Sequence, residues 1–322
     1  MAGWRVVGVE RSRAVDVLDH IDTAELQGLR ESTQFFWLDL MAPTPQEIDE
    51  VARIFELHPV AVEDLKEFHQ RPKIDDYEHF LHIVFYGMEG DESVEVHLIV
   101  HGDALITVRR DHCTTLMGAR QRVADIPADK EEYAVYRVLD GLTDSFFPYL
   151  QRIDDEIDQL EEIVVEGADS SCLHRIVALK RKLGELRRHV GPQRDLLATA
   201  GSLFERLPGF TGDGSHDYFR DVYDHLLRIN DSIESYRDVL TGLLDVYLSA
   251  QSNRLNEFVT RLTVLGTIFL PLTFITGFFG QNFGWLTGHI TGSASFWIFG
   301  VGAEVLSILA LQVWFRRRGL ET

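Results

Sequence analysis

Apolar positions along this chain change their spacing three times, and each change marks a different kind of element. Near the start, "QFFWLDL" reads as a strand. "TPQEIDEVARIFEL" follows as a helix, with Thr44 as N-cap, Pro45 in the first turn and Glu47 closing a capping box. "HFLHIVFYGM", "VEVHLIVHG" and "ALITVRR" then predict three strands joined by the turn-like "EGDES" and "GD". A mixed α/β unit, a small sheet with helices around it, is expected. From Glu131 the spacing becomes helical: Val135, Val138, Leu142, Phe146, Leu150, Ile153, Ile157, Leu160 and Val164 recur by threes and fours, with acids on the other faces. A more basic helix from about Ser171 to Leu207 ends at "LPGFTGDGS" and should pair with the acidic one as an antiparallel hairpin. The third pattern starts near Ser215, a plausible N-cap, places Asp217 and Asp221 in its opening turns and meets no strong break before Gly280. At 1.5 Å per residue such a helix is roughly 100 Å long, too long for one globular core. Its first part is expected to stand in water and its last part to cross a membrane.

The C-terminal end supports that division. Between Arg261 and Glu304 no side chain carries a fixed charge, and two apolar blocks, Leu262 to Phe283 and Phe296 to Phe315, each have about the twenty residues a bilayer core requires. "GWLTGHITGSAS" between them has the composition of a short exposed turn. The basic run Arg316-Arg317-Arg318 places the C-terminus in the cytoplasm by the positive-inside rule. A hairpin buried in a soluble core is the alternative, and the charge gap with its arginine cluster argues against it. The expected class is an α+β membrane protein: an N-terminal α/β cytoplasmic domain (1–130), a helical hairpin (131–214), the cytoplasmic part of a long stalk helix (215–260), a first transmembrane helix (261–283), an external loop (284–295), a second transmembrane helix (296–315) and a basic cytoplasmic tail (316–322).

Counting back from Gly280 by threes and fours meets Gly277, Thr273, Leu270, Gly266, Thr263 or Leu262, Val259, Asn256, Ser252, Ser249 and Asp245. That edge is small or hydroxylated in the apolar block and polar beyond it, while Phe269, Phe274, Ile275, Phe278 and Phe279 point elsewhere. Small residues at this spacing also bring membrane helices together, but packing alone does not extend the polar line to Asn256 and Asp245. A water-filled axis between symmetric copies accounts for both, with Leu262 and Leu270 as apolar constrictions that gate by dewetting. Gly280, Gln281 and Asn282 then end the helix at the far membrane surface. A ring of asparagine amides holds a hydrated cation through neutral oxygens, without the grip of a carboxylate. Mg²⁺ dehydrates reluctantly, and an ion that is to be conducted must also leave.

"FRDVYDH", "YRDVLTGLLDVYLSAQSNRLNE", "LTVLGTIFLPLTFITGFFGQNFG" and the basic tail resemble the CorA family of divalent-cation channels, closely from about Tyr218 to Leu286 and more loosely elsewhere through "FWLDL", "AVEDL", "RPK" and "ALITV". The resemblance implies a homopentamer in a lipid bilayer, a funnel-shaped cytoplasmic domain, and a pore lined by the first transmembrane helix. Mg²⁺ is the implied substrate, with Co²⁺ and Ni²⁺ also carried. By position it makes Asn282 the entrance ring, Thr273 an inner polar ring, Leu270 and Leu262 hydrophobic gate rings, and Asn256 and Asp245 the inner pore lining. It further implies a regulatory cation bound between subunits at Asp221, for which the sheet turn with Glu89 and Asp91 is the candidate partner. The helix macrodipole stabilises a carboxylate at Asp221 equally well. Two positions depart from the family pattern. The signature Gly-Met-Asn is Gly-Gln-Asn here, a middle position that also varies in the related ZntB-type zinc transporters, and residues 283–295 carry no acid, only His289.

Composition narrows the alternatives. The net charge of −20 argues against nucleic acid and for cations; copies brought together would repel one another unless divalent ions bridged them. The 322 residues include two cysteines, Cys113 and Cys172, far apart and outside any metal-binding spacing, which reads as buried or incidental thiols. "MAGWRVVGVERSR" lacks the apolar core of a secretory signal, so residues 1 to about 255 are expected in the cytoplasm. No phosphate loop, nucleophile elbow or catalytic metal cluster is present, so an enzyme is not expected. His97 and His101, without a third ligand nearby, read as ordinary histidines. Glu304, inside the second apolar block, reads as a protonated packing residue beside Gly300, Gly302 and Ala303 rather than a proton-linked site. Two rival functions stand beside a Mg²⁺ channel: a proton-coupled zinc transporter on the same fold, and a membrane-tethered cytosolic sensor or scaffold, which would need no polar stripe.

Overall fold

The computed structural model describes residues 3–9, 15–18, 23–31, 35–102, 104–124, 131–167, 170–206, 215–281, 283–290 and 292–317. The chain divides into two compact units, Met1–Leu244 and Asp245–Thr322.

The first unit is built on a sheet of seven strands: β1 (Gly3–Val9), β2 (Val15–Leu18), β3 (Phe36–Met41), β4 (Lys73–Asp76), β5 (Leu81–Glu89), β6 (Glu92–Val100) and β7 (Ala104–Arg109). The order is β2-β1-β3-β7-β6-β5-β4, antiparallel except for the β3–β7 pair. The four expected strands are present. β1, β2 and β4 correct the expectation of a small sheet. Lys73–Asp76 has one apolar residue in four and β2 has only four residues, so neither offers a period long enough to read. Three helices, α1 (Thr23–Glu31), α2 (Pro45–Ile54) and α3 (Pro59–Glu67), share one core with the sheet face that carries Phe36, Leu38, Leu40, Ile99, Ile106 and Val108. The α2 start is as expected: Thr44 Oγ1 accepts from the Glu47 amide at 3.3 Å, and the Glu47 carboxylate accepts from the Thr44 amide at 2.6 Å. Gly90 and Gly102, at the two predicted hairpin turns, have φ of 62° and 64°.

The other sheet face meets α4 (Thr114–Ala124) and α5 (Glu131–Asp144). Here α5 comes so close to β5 that a Cβ on Gly87 would lie 2.8 Å from Leu142 Cδ2 and 2.9 Å from Ser145 Oγ. β4 pairs with β5 only as far as Val84, and side chains complete the rest of that strand edge. Gln193 Oε1 accepts from the Tyr86 amide at 2.7 Å, and Ser145 Oγ accepts from the Met88 amide at 2.7 Å. Gly87→Ala should therefore destabilise the protein by about 1–3 kcal/mol through overpacking, read as a lowered thermal midpoint; an unchanged midpoint would show that α5 moves away freely.

The helical period that begins at Glu131 is two helices, not one: α5 ends at Asp144, and α6 runs Phe146–Gly167. Ser145 is the turn between them, and its hydroxyl hydrogen-bonds back to the Leu142 carbonyl. The apolar spacing runs through the break because both helices bury the same face, with Leu142, Phe146 and Leu150 all at most 3% exposed. α7 (Ser170–Phe204) follows, with Pro192 inside it, and then α8 (Ser215–Phe279), 65 residues long. Acidic α6 and basic α7 meet through Glu156 and Arg175 at 3.5 Å. α7 and α8 meet through Arg187 and Glu234 at 2.9 Å and through the stacked rings of Phe204 and Phe219, 4.0 Å apart. Cys113 and Cys172 are free and buried, as expected.

The second unit holds the distal part of α8, then α9 (Gly284–His289), α10 (Ser293–Ser295), a π-helical segment Phe296–Gly302 and α11 (Ala303–Arg317). The expected loop thus contains a helical turn, stabilised by Thr287 Oγ1 donating to the Phe283 carbonyl at 3.2 Å and by Trp285 stacked on His289 at 4.8 Å. Two stretches are long and apolar enough to cross a membrane, within Asp217–Phe279 and Ser293–Arg317, and neither apolar window is buried within the chain. Among the described residues, then, the chain offers no core of its own that buries this hairpin.

Candidate ion path and acidic cluster

Asp245, Asn256, Leu262, Gly266, Leu270 and Thr273 all lie on α8 and are exposed on the isolated chain. Leu262 and Leu270 are 59% and 74% exposed, values that water does not favour for leucines. The hydroxyls along this helix are turned inward on their own backbone. Thr273 donates to the Phe269 carbonyl at 2.8 Å, Thr263 to Val259 at 2.8 Å, Thr260 to Asn256 at 2.8 Å and Ser249 to Asp245 at 2.9 Å. Each hydroxyl has thereby used its single proton, and what it still presents outward is oxygen lone pairs. A row of such groups can accept from hydration water or face a cation, and cannot donate to an anion.

At the end of α8 the Gly280 amide donates to the Thr276 carbonyl at 2.9 Å, and Gln281 to Phe278 at 3.3 Å, a tightened last turn. A Cβ on Gly280 would stand 3.0 Å from the Thr276 carbonyl oxygen. A side chain here would press on that oxygen and require it to give by a few tenths of an ångström. Gln281 is exposed, while Asn282 lies outside the described residues. Within the same unit a cleft of about 580 Å³ is lined by Thr276, Gly280, Gln281, Gly300 and Glu304 among others. Glu304 therefore faces the end of α8 and is only half-exposed.

Asp221 belongs to a cluster that the spacing of acids along the chain had not singled out. Tyr136 donates to Asp221 Oδ2 at 2.9 Å, and His225 Nε2 lies 3.9 Å from Asp221 Oδ1. His225 Nδ1 lies 3.1 Å from Asp144 Oδ1 and 3.7 Å from Asp140 Oδ1. Ligand atoms of Asp140, Asp221 and His225 all fall within 4.8 Å of one another, a set able to hold a metal ion. Burial, and then the charge of Asp144, raise the pKa of Asp140. Arg137 Nη1 donates to Asp140 Oδ2 at 3.0 Å, so an arginine already pairs with one of the three carboxylates. The cluster's signal in the sequence is two i,i+4 pairs on different helices, Asp140/Asp144 and Asp221/His225, which only the packing of α5 against α8 brings together. Glu89 and Asp91 are engaged elsewhere in the chain: Glu89 accepts from the amide and hydroxyl of Thr114 at 2.8 Å, and Asp91 pairs with Arg152 at 2.8 Å. Burial opposes ionisation of Glu89, but the Thr114 hydrogen bonds outweigh it and lower its pKa.

His97 sits in the core, one of the two ordinary settings, surface or core, expected for it. It is fully buried, 3.0 Å from His82 and 2.9 Å from Glu95.

A family model described as CorA-like Mg2+ transporter protein matches residues 32–317. The "Cobalt/magnesium transport protein CorA" of Thermotoga maritima is 36% identical over 273 residues, covering 81% of this chain and 77% of that protein. The "Zinc transport protein ZntB" of Yersinia enterocolitica is 30% identical over 179 residues, 56% of this chain and 53% of that protein. Among solved structures, the complete CorA magnesium transporter from Methanocaldococcus jannaschii superposes with a TM-score of 0.82 at 22% identity, covering 100% of this chain and 99% of that one.

Proposed function

Because this chain belongs to the CorA-like family of Mg²⁺ transporter proteins, we propose that it carries Mg²⁺ across the membrane along the hydroxyl edge of α8, in an assembly of identical copies. Its activity is that of a transporter of divalent cations, not of an enzyme. The observation that carries the reading is α8 itself: one unbroken helix from Ser215 to Phe279 that ends in an unburied apolar stretch edged with glycines and proton-spent hydroxyls. In the proposed assembly, a homopentamer, Leu262 and Leu270 form dewetting constrictions, Gly266 and Thr273 the polar rings between and beyond them, and Asn256 and Asp245 the inner mouth. Gly280, Gln281 and Asn282 form the filter, in which neutral amide oxygens bind hydrated Mg²⁺ weakly enough to release it. Both termini lie in the cytoplasm, and the membrane is the plasma membrane. Intracellular Mg²⁺ bound at Asp221 holds the pore closed, supported by the ligand set that Asp221 forms with Asp140 and His225; Glu89 or Asp91 of a neighbouring copy completes it.

Purified protein in liposomes should take up Mg²⁺, and Co²⁺ and Ni²⁺ to a smaller extent, without a pH gradient. Asn282→Ala should lower Mg²⁺ uptake about fivefold, ~1 kcal/mol of ion binding at the entrance, while the oligomer elutes unchanged from gel filtration. Uptake equal to that of the unaltered protein removes the filter assignment. A second reading, a proton-coupled zinc transporter, is favoured by the ZntB relative and by Gln281 at the variable filter position. It predicts Zn²⁺ uptake that rises with an imposed proton gradient and leaves Mg²⁺ behind.

A further inference from the structure

A polar line crosses the buried face of β4, β5 and β6 and ends at a bare nitrogen. In the register of these strands Asp75 lies opposite His82, Val84 opposite His97 and Tyr86 opposite Glu95. Alternation therefore puts Asp75, His82, His97 and Glu95 on one face. His82 and His97 are 0% exposed and Glu95 9%. His82 Nε2 lies 3.0 Å from His97 Nδ1, and His97 Nε2 lies 2.9 Å from Glu95 Oε1. Glu95 also accepts from the amides of His69 and Gln70 at 2.6 and 3.0 Å.

The hydrogens along this line follow from its Glu95 end. Burial works against a charge on Glu95, but the bonds from His97, Gln70 and His69 outweigh it and hold its pKa below the ordinary value. An ionised carboxylate only accepts, so His97 Nε2 carries a hydrogen. With that hydrogen on Nε2, the other His97 nitrogen, Nδ1, accepts from His82, which puts the hydrogen of His82 on Nε2. His82 is 0% exposed, where a second ring hydrogen would be a buried charge. Its Nδ1 is therefore a lone pair. That atom is buried without a hydrogen-bond partner, and it lies within 4.8 Å of carboxylate oxygens of both Asp64 and Asp75.

Three acceptors converging on one point call for a cation, and one is already at hand. Lys73 Nζ lies 2.6 Å from Asp64 Oδ2 and 2.6 Å from Asp75 Oδ2. Lys73 satisfies the two carboxylates and leaves the imidazole nitrogen bare. A metal ion would serve all three. Two carboxylate oxygens and one imidazole nitrogen are a three-ligand set that leaves a fourth position for water, and an imidazole ligand favours zinc, cobalt and nickel over magnesium. The other His82 nitrogen donates toward His97 and through it toward Glu95, the kind of support that orients metal-binding histidines and raises their basicity. Metal–ligand bonds of about 2.0–2.2 Å require the carboxylates to close inward; Asp75, with its side chain 36% exposed at the sheet edge, has room to do so.

We propose that Asp64, Asp75 and His82 Nδ1 form a binding site for a transition-metal dication of the zinc, cobalt or nickel class, with Lys73 as the cation it displaces. The site rests on the first unit alone and holds whichever ion the transporter carries. It is tested on the full-length protein in detergent by titrating Zn²⁺ against a chromogenic chelator in millimolar Mg²⁺, which fills sites made only of oxygen. In the Asp140→Asn/Asp221→Asn protein, which lacks the other carboxylate–imidazole set, one Zn²⁺ per chain should remain bound. His82→Asn and Asp75→Asn should each weaken it at least tenfold, and Lys73→Met should tighten it by about tenfold by removing the competing ammonium. Asp75 and Lys73 are partly exposed, so their variants report even if the buried His82 variant does not fold. Zn²⁺ fully displaced by Mg²⁺, or an affinity unchanged by both Asp75→Asn and Lys73→Met, overturns the proposal.

Discussion

Asp39→Ala should lower the stability of the first unit by about 3–5 kcal/mol, the range found when one partner of a buried ion pair is removed. Asp39 and Arg109 are 1% and 2% exposed, on the adjacent parallel strands β3 and β7. Asp39 Oδ2 accepts from Arg109 Nη2 at 3.0 Å, and Asp39 Oδ1 accepts from Arg109 Nε at 3.3 Å and from Thr107 Oγ1 at 2.8 Å. Thr107 Oγ1 in turn accepts from Trp37 Nε1 at 2.9 Å. Alanine would leave a guanidinium buried without its counter-charge and a hydroxyl proton without an acceptor. The double variant Asp39→Leu/Arg109→Met should recover most of the loss, because apolar groups of similar volume carry no desolvation cost. Thermal midpoints of Asp39→Ala and of the double variant decide the matter. If the double variant is as unstable as Asp39→Ala, the cost lies in packing and not in stranded charge.

The second large effect concerns Mg²⁺ at the Asp221 cluster. Asp140→Asn/Asp221→Asn should raise the Mg²⁺ concentration that half-protects the protein from protease by tenfold or more, ~1.4 kcal/mol of binding. Protection unchanged in this variant would assign Asp221 to stabilising the start of α8 through the helix dipole. The pH dependence has a definite sign. Burial and Asp144 raise the pKa of Asp140 above its model-peptide value of 3.8. Its folded form holds a proton more tightly than its unfolded form, so its contribution to stability is present at low pH and is lost as pH rises through the raised pKa. A divalent cation at the cluster offsets that loss. The increase in thermal midpoint that Mg²⁺ produces should therefore grow as pH rises from about 4 towards neutrality, and Asp140→Asn should flatten the slope.

Local chemistry was readable wherever one segment carried a complete signal. Thr44, Pro45 and Glu47 specify the start of α2 by themselves, because a capping box spans four consecutive residues. The hairpin turns at Gly90 and Gly102, and the run of α8 from Ser215 to the glycine at 280, are equally local. The polar edge of α8 was legible because a helix places residues three and four apart on one side. Short edge strands were not legible. β4 shows no period of its own and exists because β5 offers it a ladder from Leu81 to Val84. The break at Ser145 was hidden because α5 and α6 bury the same face on either side of it.

Sites made between segments escaped the sequence for a related reason. Asp140, Asp144, Asp221 and His225 are two helical pairs some eighty residues apart, and neither pair is unusual alone. Asp64, Asp75 and His82 come from a helix and two strands; His82 stands inside an apolar strand pattern, where a histidine looks like a core residue. A side chain's hydrogen-bonding partners, and with them the identity of a bare lone pair, are properties of distance that composition does not encode.

By itself, then, the amino-acid order determined the class of the molecule: an α/β unit, one helix too long for a globular core, two apolar spans and an edge of small and hydroxylated residues. Those are one-dimensional periodicities, and elementary helix and strand geometry converts them directly into faces. The tertiary structure alone decided which acids and histidines meet, which buried groups lack a partner and which cations compensate them. Coulombic and hydrogen-bonding energies depend on a few ångströms of separation between residues distant in the chain, and those separations exist only once the helices and the sheet have packed.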